Sequence, residues 1–502
     1  MKPEIQRGDG FQILNRRRQT RDYVVVLGGL TASIGMVALG ISQTGFSGDA
    51  GWTWQTGRWI LSNHGVPHTA IWSWWVPRAP WVDTEWLWQV VVAWWQAHFG
   101  FYGIEWLDLA IWVALGMLLW KGWQRWVRGP NGIIAVALFV GVWPLLLFMD
   151  TRAELVSYLA WAGTLYLIRA EYRSRRLWLL VPLTAIWAQM HGSFPLEWYA
   201  LTVLAAALWW TKKPELRGVF RRVLAVLATS IVVTLINPYG LSLWTYIMHM
   251  LTNRWFVANI NEWDTPPFDQ PIWMLAVLLP GIAIIWRFNR WWHRVPGIIR
   301  LGLLLLTIQF MLHLRYYPYL YIAGWSAMWW VPPQWPSLDD SSVGWKPPQW
   351  IAIFTAWVIV AGNVLVPGPQ FRRQNAWDSA IAWLARHPHP RLMNGPNIGG
   401  DLIAAGIHPF VDGRADIYTR LPLTWQNPET LVQTIFDLQP GFYRAWRFVH
   451  PRTIIDDPNQ PVNLWLSEHH WREVVHGKYS TVWVAPGSLF HNNKKGSFHD
   501  YH

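Results

Sequence analysis

Apolar runs near the length of a membrane span recur through the first 366 residues, and the connections between them alternate in charge. Crossing about 30 Å of hydrocarbon takes about 20 residues of helix. The clearest runs are Tyr23–Gln43, Ile133–Phe148, Val223–Ile236 and Ile351–Val366. Eleven spans are expected, at 23–43, 101–120, 131–149, 154–168, 177–190, 197–211, 222–237, 271–286, 297–314, 318–332 and 349–366. With the N-terminus in the cytoplasm, the N-terminal arm, Lys346 and the connections "KGWQRWVRG", "RAEYRSRR", "KKPELRGVFRR" and "RFNRWWHRVPGIIR" hold 23 Lys and Arg, and the opposite connections hold five. Basic residues stay on the cytoplasmic side, so this split fixes the orientation. Counting "TEWLWQVVVAWWQAHFG" as a span would invert every later loop, so it is laid along the outer interface as an amphipathic helix.

Composition agrees. Only 14% of residues are charged and 44 are tryptophans, a side chain that gathers at the bilayer–water boundary. A soluble enzyme with a Trp-rich core fits poorly. Nucleic acid is not an expected partner despite the net charge of +12, because topology accounts for the basic excess. The chain has no cysteine, which excludes disulfides, thiolate nucleophiles and zinc–thiolate sites. The apolar run behind "NRRRQTRD" lacks a small-x-small cleavage site and reads as an uncleaved first helix.

The fold expected is an α-helical polytopic membrane protein of about eleven spans, residues 1–366, with its first external loop at 44–100. Residues 367–502 form an extracytoplasmic mixed α/β domain. There "AWDSAIAWLARHP" reads as a helix, and "HPFVDG" and "TVWVAP" as strands separated by Gly and Pro turns.

With this topology most acids of the membrane part reach the outer side. The first loop supplies Asp49, Asp83 and Glu85; "FMDTRAEL" supplies Asp150, Arg152 and Glu154. "QMHGSFPLEW" supplies His191 and Glu197, "NINEWDTPPF" Glu262 and Asp264, and "HLRYYPY" His313 and Arg315. Charges at an apolar boundary are costly unless paired or wetted by a cavity, so five such connections imply one shared cavity. Taken singly, each has a plainer reading: Asp49 as a helix cap, Asp150, Arg152 and Glu154 as a headgroup ion-pair set, His191 as a packing residue, "NPYG" as an ordinary turn.

The motifs "GDAGWTWQTGRWILSNHGVPHT", "PWVDTEWL", "RAEL", "HGSF", "INPYG", "NEWDTPPF", "NIGGDLI" and "HPFVDGRADIY" resemble a poorly characterised bacterial branch of the GT-C glycosyltransferase superfamily. The resemblance covers most of the chain. It implies a GT-C-like membrane domain and the transfer of a sugar, at the extracytoplasmic face of the cell membrane, from a polyprenyl-phosphate donor in the bilayer to a glycan, lipid or protein acceptor. It assigns Asp49 the place of the catalytic acid and Glu85 that of the second acid, with Asp83 an extra carboxylate beside it. The branch carries an acid after "VPHT"; this chain has Ala70. Either that acid is dispensable, or Asp83 replaces it, or the site is inactive.

Displacing a polyprenyl phosphate needs a base near the acceptor hydroxyl and cations near the leaving phosphate. Arg152 and Arg315 suit the phosphate by their planar, multidentate donors. Asp150, Glu154, His191 and Glu262 complete the expected substrate-binding set. Asp49, Asp83 and Glu85 could hold a divalent cation, Mg or Mn, through oxygen ligands. The competing readings are a lipid-linked polysaccharide polymerase or ligase, a secondary transporter and an inactive GT-C-like scaffold. Asp412, Arg414 and Asp416 are expected near the cavity mouth, with an internal ion pair as the alternative.

The topology is tested by reporter fusions. One placed after Val366 should be extracytoplasmic and one within 169–176 cytoplasmic; two reporters on the same side would overturn the map.

Overall fold

A computed structural model describes residues 48–126, 151–270, 297–330, 379–422, 424–477 and 480–487. The expected spans 23–43, 131–149, 271–286 and 349–366 lie outside them, as does Asp150. The chain divides into two units. One contains Thr56–Val66 and Val82–Gln370, the other Ser47–Gln55, Pro67–Trp81 and Phe371–His502. Helix α1 (Asp49–Asn63) thus gives its first half to the second unit and its remainder to the first.

The first unit is helical. Helix α2 (Trp86–Trp126) is interrupted at Gly100, where φ is 70° and ψ −173°. That region of backbone space is open essentially to glycine alone, and it separates "TEWLWQVVVAWWQAHF" from the apolar stretch behind it. Gly103–Trp123 is the one helix among the described residues long and apolar enough to cross a membrane by length and composition. Then follow α3 (Glu154–Glu171), α4 (Leu180–Met190), α5 (Pro195–Thr211), α6 (Arg217–Val233) and α7 (Ser242–Thr252). Helices α8 (Gly297–Leu312) and α9 (Tyr317–Ala327) complete the unit as described here. Each expected span that falls on described residues coincides with a helix.

Sequence gives these helices their ends. Pro195 and Pro318 occupy first-turn positions of α5 and α9, where a missing N–H costs nothing. "NPYG" closes α6 as a turn: Asn237 accepts from the Tyr239 N–H at 2.7 Å and donates to the Gly240 carbonyl at 3.1 Å, and Gly240 has φ +55°. Helix α7 was expected only as loop. It buries Leu243 and Tyr246 and exposes Met248 and Leu251.

Tryptophan plays two parts. Trp106, Trp209 and Trp210 are exposed, but Trp161, Trp187 and Trp329 are fully buried in the helical core with Tyr158, Phe194 and Phe310. Trp52 and Trp54 are buried too. Trp52 packs into the core of the second unit, although tryptophan composition alone would place such side chains at the bilayer–water boundary.

That second unit is built on a four-stranded sheet, β1 (Leu392–Asn394), β2 (Thr453–Asp456), β3 (Arg472–His476) and β4 (Thr481–Val484), in the order β1-β2-β4-β3. β1 runs parallel to β2, and β4 antiparallel to both β2 and β3. "TVWVAP" contains β4 as expected. "HPFVDG" is not a strand. Asn394 explains why: its Oδ1 accepts from the Phe410 N–H at 2.8 Å and its Nδ2 donates to the Val411 carbonyl at 2.7 Å. One side chain thereby satisfies the backbone groups that a neighbouring strand would have paired.

The first-loop segments are integral to this unit. Ser73 donates to the Phe410 carbonyl and Trp74 Nε1 to the Leu392 carbonyl, both at 2.8 Å. Trp74 and Trp75 pack on Phe410 at centroid separations of 5.7 and 5.1 Å. Ala70 is 1% exposed within this apolar cluster, so a carboxylate at this position would be buried without water. A Cβ on Gly51 would strike the Gly400 carbonyl, so α1 and the helix Pro396–Ala404 meet backbone to backbone. Asp412 and Arg414 form an internal ion pair rather than a cavity rim. Arg414 Nη2 and Nε donate to the two Asp412 oxygens at 2.6 and 2.8 Å, and both residues are buried. The guanidinium stacks on Trp81 at 4.6 Å and Trp52 at 5.6 Å.

Two buried acids make this unit sensitive to pH. Burial, with the nearby Asp412 charge, pushes the Glu429 carboxyl up to about 8. Burial, with Asp457 and Asp437, pushes Asp456 up to about 8 as well. An acid that binds its proton more tightly folded than unfolded stabilises fully below its unfolded pKa of about 4, and that contribution disappears as pH rises through the folded value. Burial would raise Asp412 also, but the Arg414 charge and hydrogen bonds hold it below the ordinary range, so its contribution is lost only on the acid side of this window. Stability of the second unit, read by hydrogen exchange in β2 and Pro428–Phe436, should therefore fall between roughly pH 4 and 8. Glu429→Gln and Asp456→Asn should each flatten that slope; an unchanged slope in both variants would contradict it.

Candidate functional site

Three helix ends and two short turns in the first unit supply the cluster. Ahead of α3, the Thr151 hydroxyl donates to Asp108 Oδ2 at 2.5 Å, and Ala153 is fully buried. The chain is thus pinned on both sides of Arg152, and Arg152 and Glu154 line a cleft together. His191 ends α4 in an extended conformation. Its Nδ1 lies 2.9 Å from both the Ser157 and Ser193 hydroxyls. Those hydroxyls are held in turn, because Trp187 Nε1 donates to Ser157 at 2.8 Å and the Tyr319 hydroxyl to Ser193 at 3.0 Å. The ring is therefore fixed with Nε2 facing two carboxylates, 3.5 Å from Glu154 Oε1 and 3.9 Å from Glu85 Oε1.

The loops "NEWD" and "HLRY" are joined to each other. The Leu314 N–H donates to the Asp264 carbonyl and His313 Nδ1 meets the Trp263 carbonyl, both at 2.8 Å. Glu262 pairs with Arg152, and Arg315 Nη2 lies 3.7 Å from Glu154 Oε1 with its guanidinium 4.6 Å from the Trp263 ring centre. Burial would lower the Arg315 pKa, but Glu262 and Glu154, with Tyr319 and Tyr316, overcome it and hold the guanidinium firmly charged. Arg152, Glu154, Tyr158, Glu262, Arg315 and Tyr319 line this cleft.

The structure thus brings together Glu85, Arg152, Glu154, His191, Glu262 and Arg315 of the expected residues. Asp83 has another task. Its Oδ1 accepts the Glu85 N–H at 3.0 Å and the Gln89 amide at 2.8 Å, and the residue is 2% exposed. It ties the start of α2, as an acid at a helix N-terminus does. Asp49 belongs to the second unit. There it accepts a hydrogen bond from Trp52 Nε1 at 3.0 Å and packs so closely on Gly413 that a Cβ at Gly413 would strike its Oδ1. Glu197 is fully buried within the helices, where Ser230 donates to it at 2.8 Å. Tyr158, Tyr319, Ser157 and Ser193 were not singled out from the sequence. Only the spacing of Ser193 two residues after His191 carried a signal.

Glu85, Glu154 and His191 each offer a ligating atom within 4.8 Å of the others, a set that could hold a metal ion. It keeps Glu85 from the expected acidic set and takes Glu154 and His191 in place of Asp49 and Asp83. The donor chemistry fits Mg or Mn in its carboxylates, and imidazole widens the choice toward Zn. His191 Nδ1 also accepts the Ser193 backbone N–H at 3.3 Å, which places the ring proton on Nε2 facing the carboxylates; binding a metal through Nε2 requires the other tautomer, with Nδ1–H donating to a serine hydroxyl. Three carboxylates here face two guanidinium groups, so the cluster carries a negative excess when His191 is neutral.

No protein-family model and no curated protein matches the chain. Solved structures do. The archaeal oligosaccharyltransferase AglB from Archaeoglobus fulgidus, in complex with an inhibitory peptide and a dolichol-phosphate, is similar at a TM-score of 0.51 and 9% identity, over 87% of this chain and 69% of AglB. ArnT from Cupriavidus metallidurans, bound to undecaprenyl phosphate, is similar at a TM-score of 0.51 and 13% identity, over 96% of this chain and 99% of ArnT. At these identities the likeness concerns architecture alone: over most of its length the chain resembles the folds of AglB and ArnT.

Proposed function

We propose that the chain is a multi-pass cell-membrane glycosyltransferase, with its N-terminus in the cytoplasm, that moves a sugar from a polyprenyl-phosphate donor to an acceptor at the extracytoplasmic face. The observation that carries this reading is the cleft itself. Two half-buried arginines and a histidine-linked pair of carboxylates meet where helices begin and end, within a fold whose solved neighbours hold a dolichol-phosphate and undecaprenyl phosphate.

In this proposal Arg152 and Arg315 receive the donor phosphate, exchanging part of their pairing with Glu262 and Glu154 for phosphate oxygens of the same charge and better-matched geometry. Glu85, held near His191, accepts the acceptor hydroxyl's proton as that oxygen attacks the sugar carbon. The bond from that carbon to the phosphate oxygen breaks, and the polyprenyl phosphate leaves with the bonding electrons. His191 orients the Glu154 and Glu85 carboxylates through its fixed ring. A divalent cation bound by Glu85, Glu154 and His191 would supply positive charge that offsets the carboxylate excess and favours the phosphate. The resemblance gives the catalytic acid to Asp49, and that assignment is a separate proposal with its own variant.

Sugar transfer from a polyprenyl-phosphate donor in nanodiscs, with thermal stability measured in parallel, tests both. Glu85→Gln should leave the protein folded and lower transfer by roughly 10²–10⁴-fold, the usual worth of general-base help. Asp49→Asn, nearly isosteric and still able to accept from Trp52, should do the same if Asp49 is the acid. Near wild-type transfer by Asp49→Asn would make that residue a tie within the second unit. Near wild-type transfer by Glu85→Gln would remove the proposed base.

A further inference from the structure

At the opposite ends of the helices that form the cleft lies a second opening of different chemistry. Glu154 begins α3 at the cleft; Ile168, roughly 21 Å farther along the helix, lines an open groove of about 640 Å³. Tyr319 of α9 faces the cleft, whereas Ala323 and Ala327 of α9 and Trp330 just beyond it face the groove. Leu165, Val203 and Leu303 supply further walls. Tyr199 and Ser326 are the only hydroxyl-bearing residues among those that line it. The Tyr199 hydroxyl is spent on the Gly302 carbonyl, and the Ser326 hydroxyl is buried without a hydrogen-bond partner. Such a surface suits a hydrocarbon chain and rejects a sugar.

A cation stands beside two of the groove's lining residues, Ile168 and Trp330. The guanidinium of Arg169, the residue after Ile168, is 4.9 Å from the Trp330 ring centre and 5.1 Å from that of Trp126. Its Nε donates to the Trp329 carbonyl at 2.9 Å. The two rings and this bond fix the group while its Nη atoms make no hydrogen bond or ion pair with the described residues. Lys121, Arg125 and Arg173 belong to the same ends of α2 and α3, against aromatic partners Tyr166, Trp126 and Tyr172. The nearby acid, Glu171, faces Arg176 at 3.9 Å and Ser174 at 2.6 Å.

We propose that this groove holds an acyl chain of an anionic phospholipid from the cytoplasmic leaflet, with the lipid phosphate on Arg169. The occupant is set by charge. An apolar slot between membrane helices beside an ordered basic cluster matches a lipid with two tails and a negative headgroup, and basic pockets of this kind on the cytoplasmic side select such lipids. This inference rests on the membrane placement and orientation proposed above, not on the transfer reaction. The lipid would brace α3, α5, α8 and α9 against each other at the end remote from the cleft.

Native mass spectrometry of the full chain in detergent, titrated with phosphatidylglycerol, phosphatidylcholine or undecaprenyl phosphate, tests the proposal. The wild type should retain phosphatidylglycerol over phosphatidylcholine by roughly fivefold or more, the effect of one well-placed basic side chain. Arg169→Gln should abolish the preference and Arg169→Lys should keep it. Leu303→Trp, which fills the slot, should weaken both phospholipids alike. Equal retention of the two phospholipids, a preference that survives Arg169→Gln, or displacement of phosphatidylglycerol by undecaprenyl phosphate would each overturn it. The last result would give the groove to the sugar donor. Transfer activity plays no part in the readout, so loss of lipid selectivity leaves the transfer proposal standing, and absence of transfer leaves this one.

Discussion

Charges at the edge of an apolar helix bundle persist only in company, and the pairing of Arg152 with Glu262 and of Arg315 with Glu154 is where this structure meets that constraint. Half-buried ions lose hydration that only a partner or a ligand can replace. The pairs draw together the start of α3 and the turns at 261–263 and 314–316, and His191 adds the end of α4 by facing Glu154 and Glu85. Breaking one pair leaves its partner exposed to a poor solvent, so the cluster is stable as a set and strained as a fragment. The same property suits it to phosphate, which can take the place of a carboxylate without leaving a guanidinium unpaired.

Much of the cluster was legible because the charged residues of alternate connections separate by sign in the sequence. The 23-to-5 division of basic residues grouped the acids of alternate connections, and residues from five of those connections converge in the cleft. Helices were legible for the reason that hydropathy dictates them. What escaped was decided by local bonding that composition does not encode. Asp83 and Glu85 look equivalent in "VDTEW", yet one is consumed by the Glu85 N–H and Gln89 and the other is left for the cleft. "HPFVDG" has the pattern of a strand, but the side chain of Asn394 takes the bonds a strand would have made. Trp52 has the composition of an interfacial belt, but its ring is buried by packing partners far away in the chain.

The segment that opens α1 shows how one stretch can carry two kinds of constraint. "SGDAGW" is tied to "GGDLI" and "DGRAD": the Gly48 N–H donates to Asp401 at 3.2 Å, Gly51 abuts Gly400, and Asp49 abuts Gly413. The motifs that carry the family resemblance at the two ends of the chain therefore meet within one unit. Part of what makes them recognisable is close packing that only glycine permits. A role for Asp49 in chemistry has to be separated from this structural one.

The central claim is that the cleft between Arg152 and Arg315 binds a lipid phosphate. Its most direct measurement compares binding of undecaprenyl phosphate with that of undecaprenol, which has the same tail and no phosphate, to wild-type protein and to Arg315→Ala in nanodiscs. The account predicts at least roughly tenfold tighter binding of the phosphate by the wild type, as expected for charge-assisted hydrogen bonds, and loss of that difference in the variant. Equal binding of the two lipids by the wild type would contradict it.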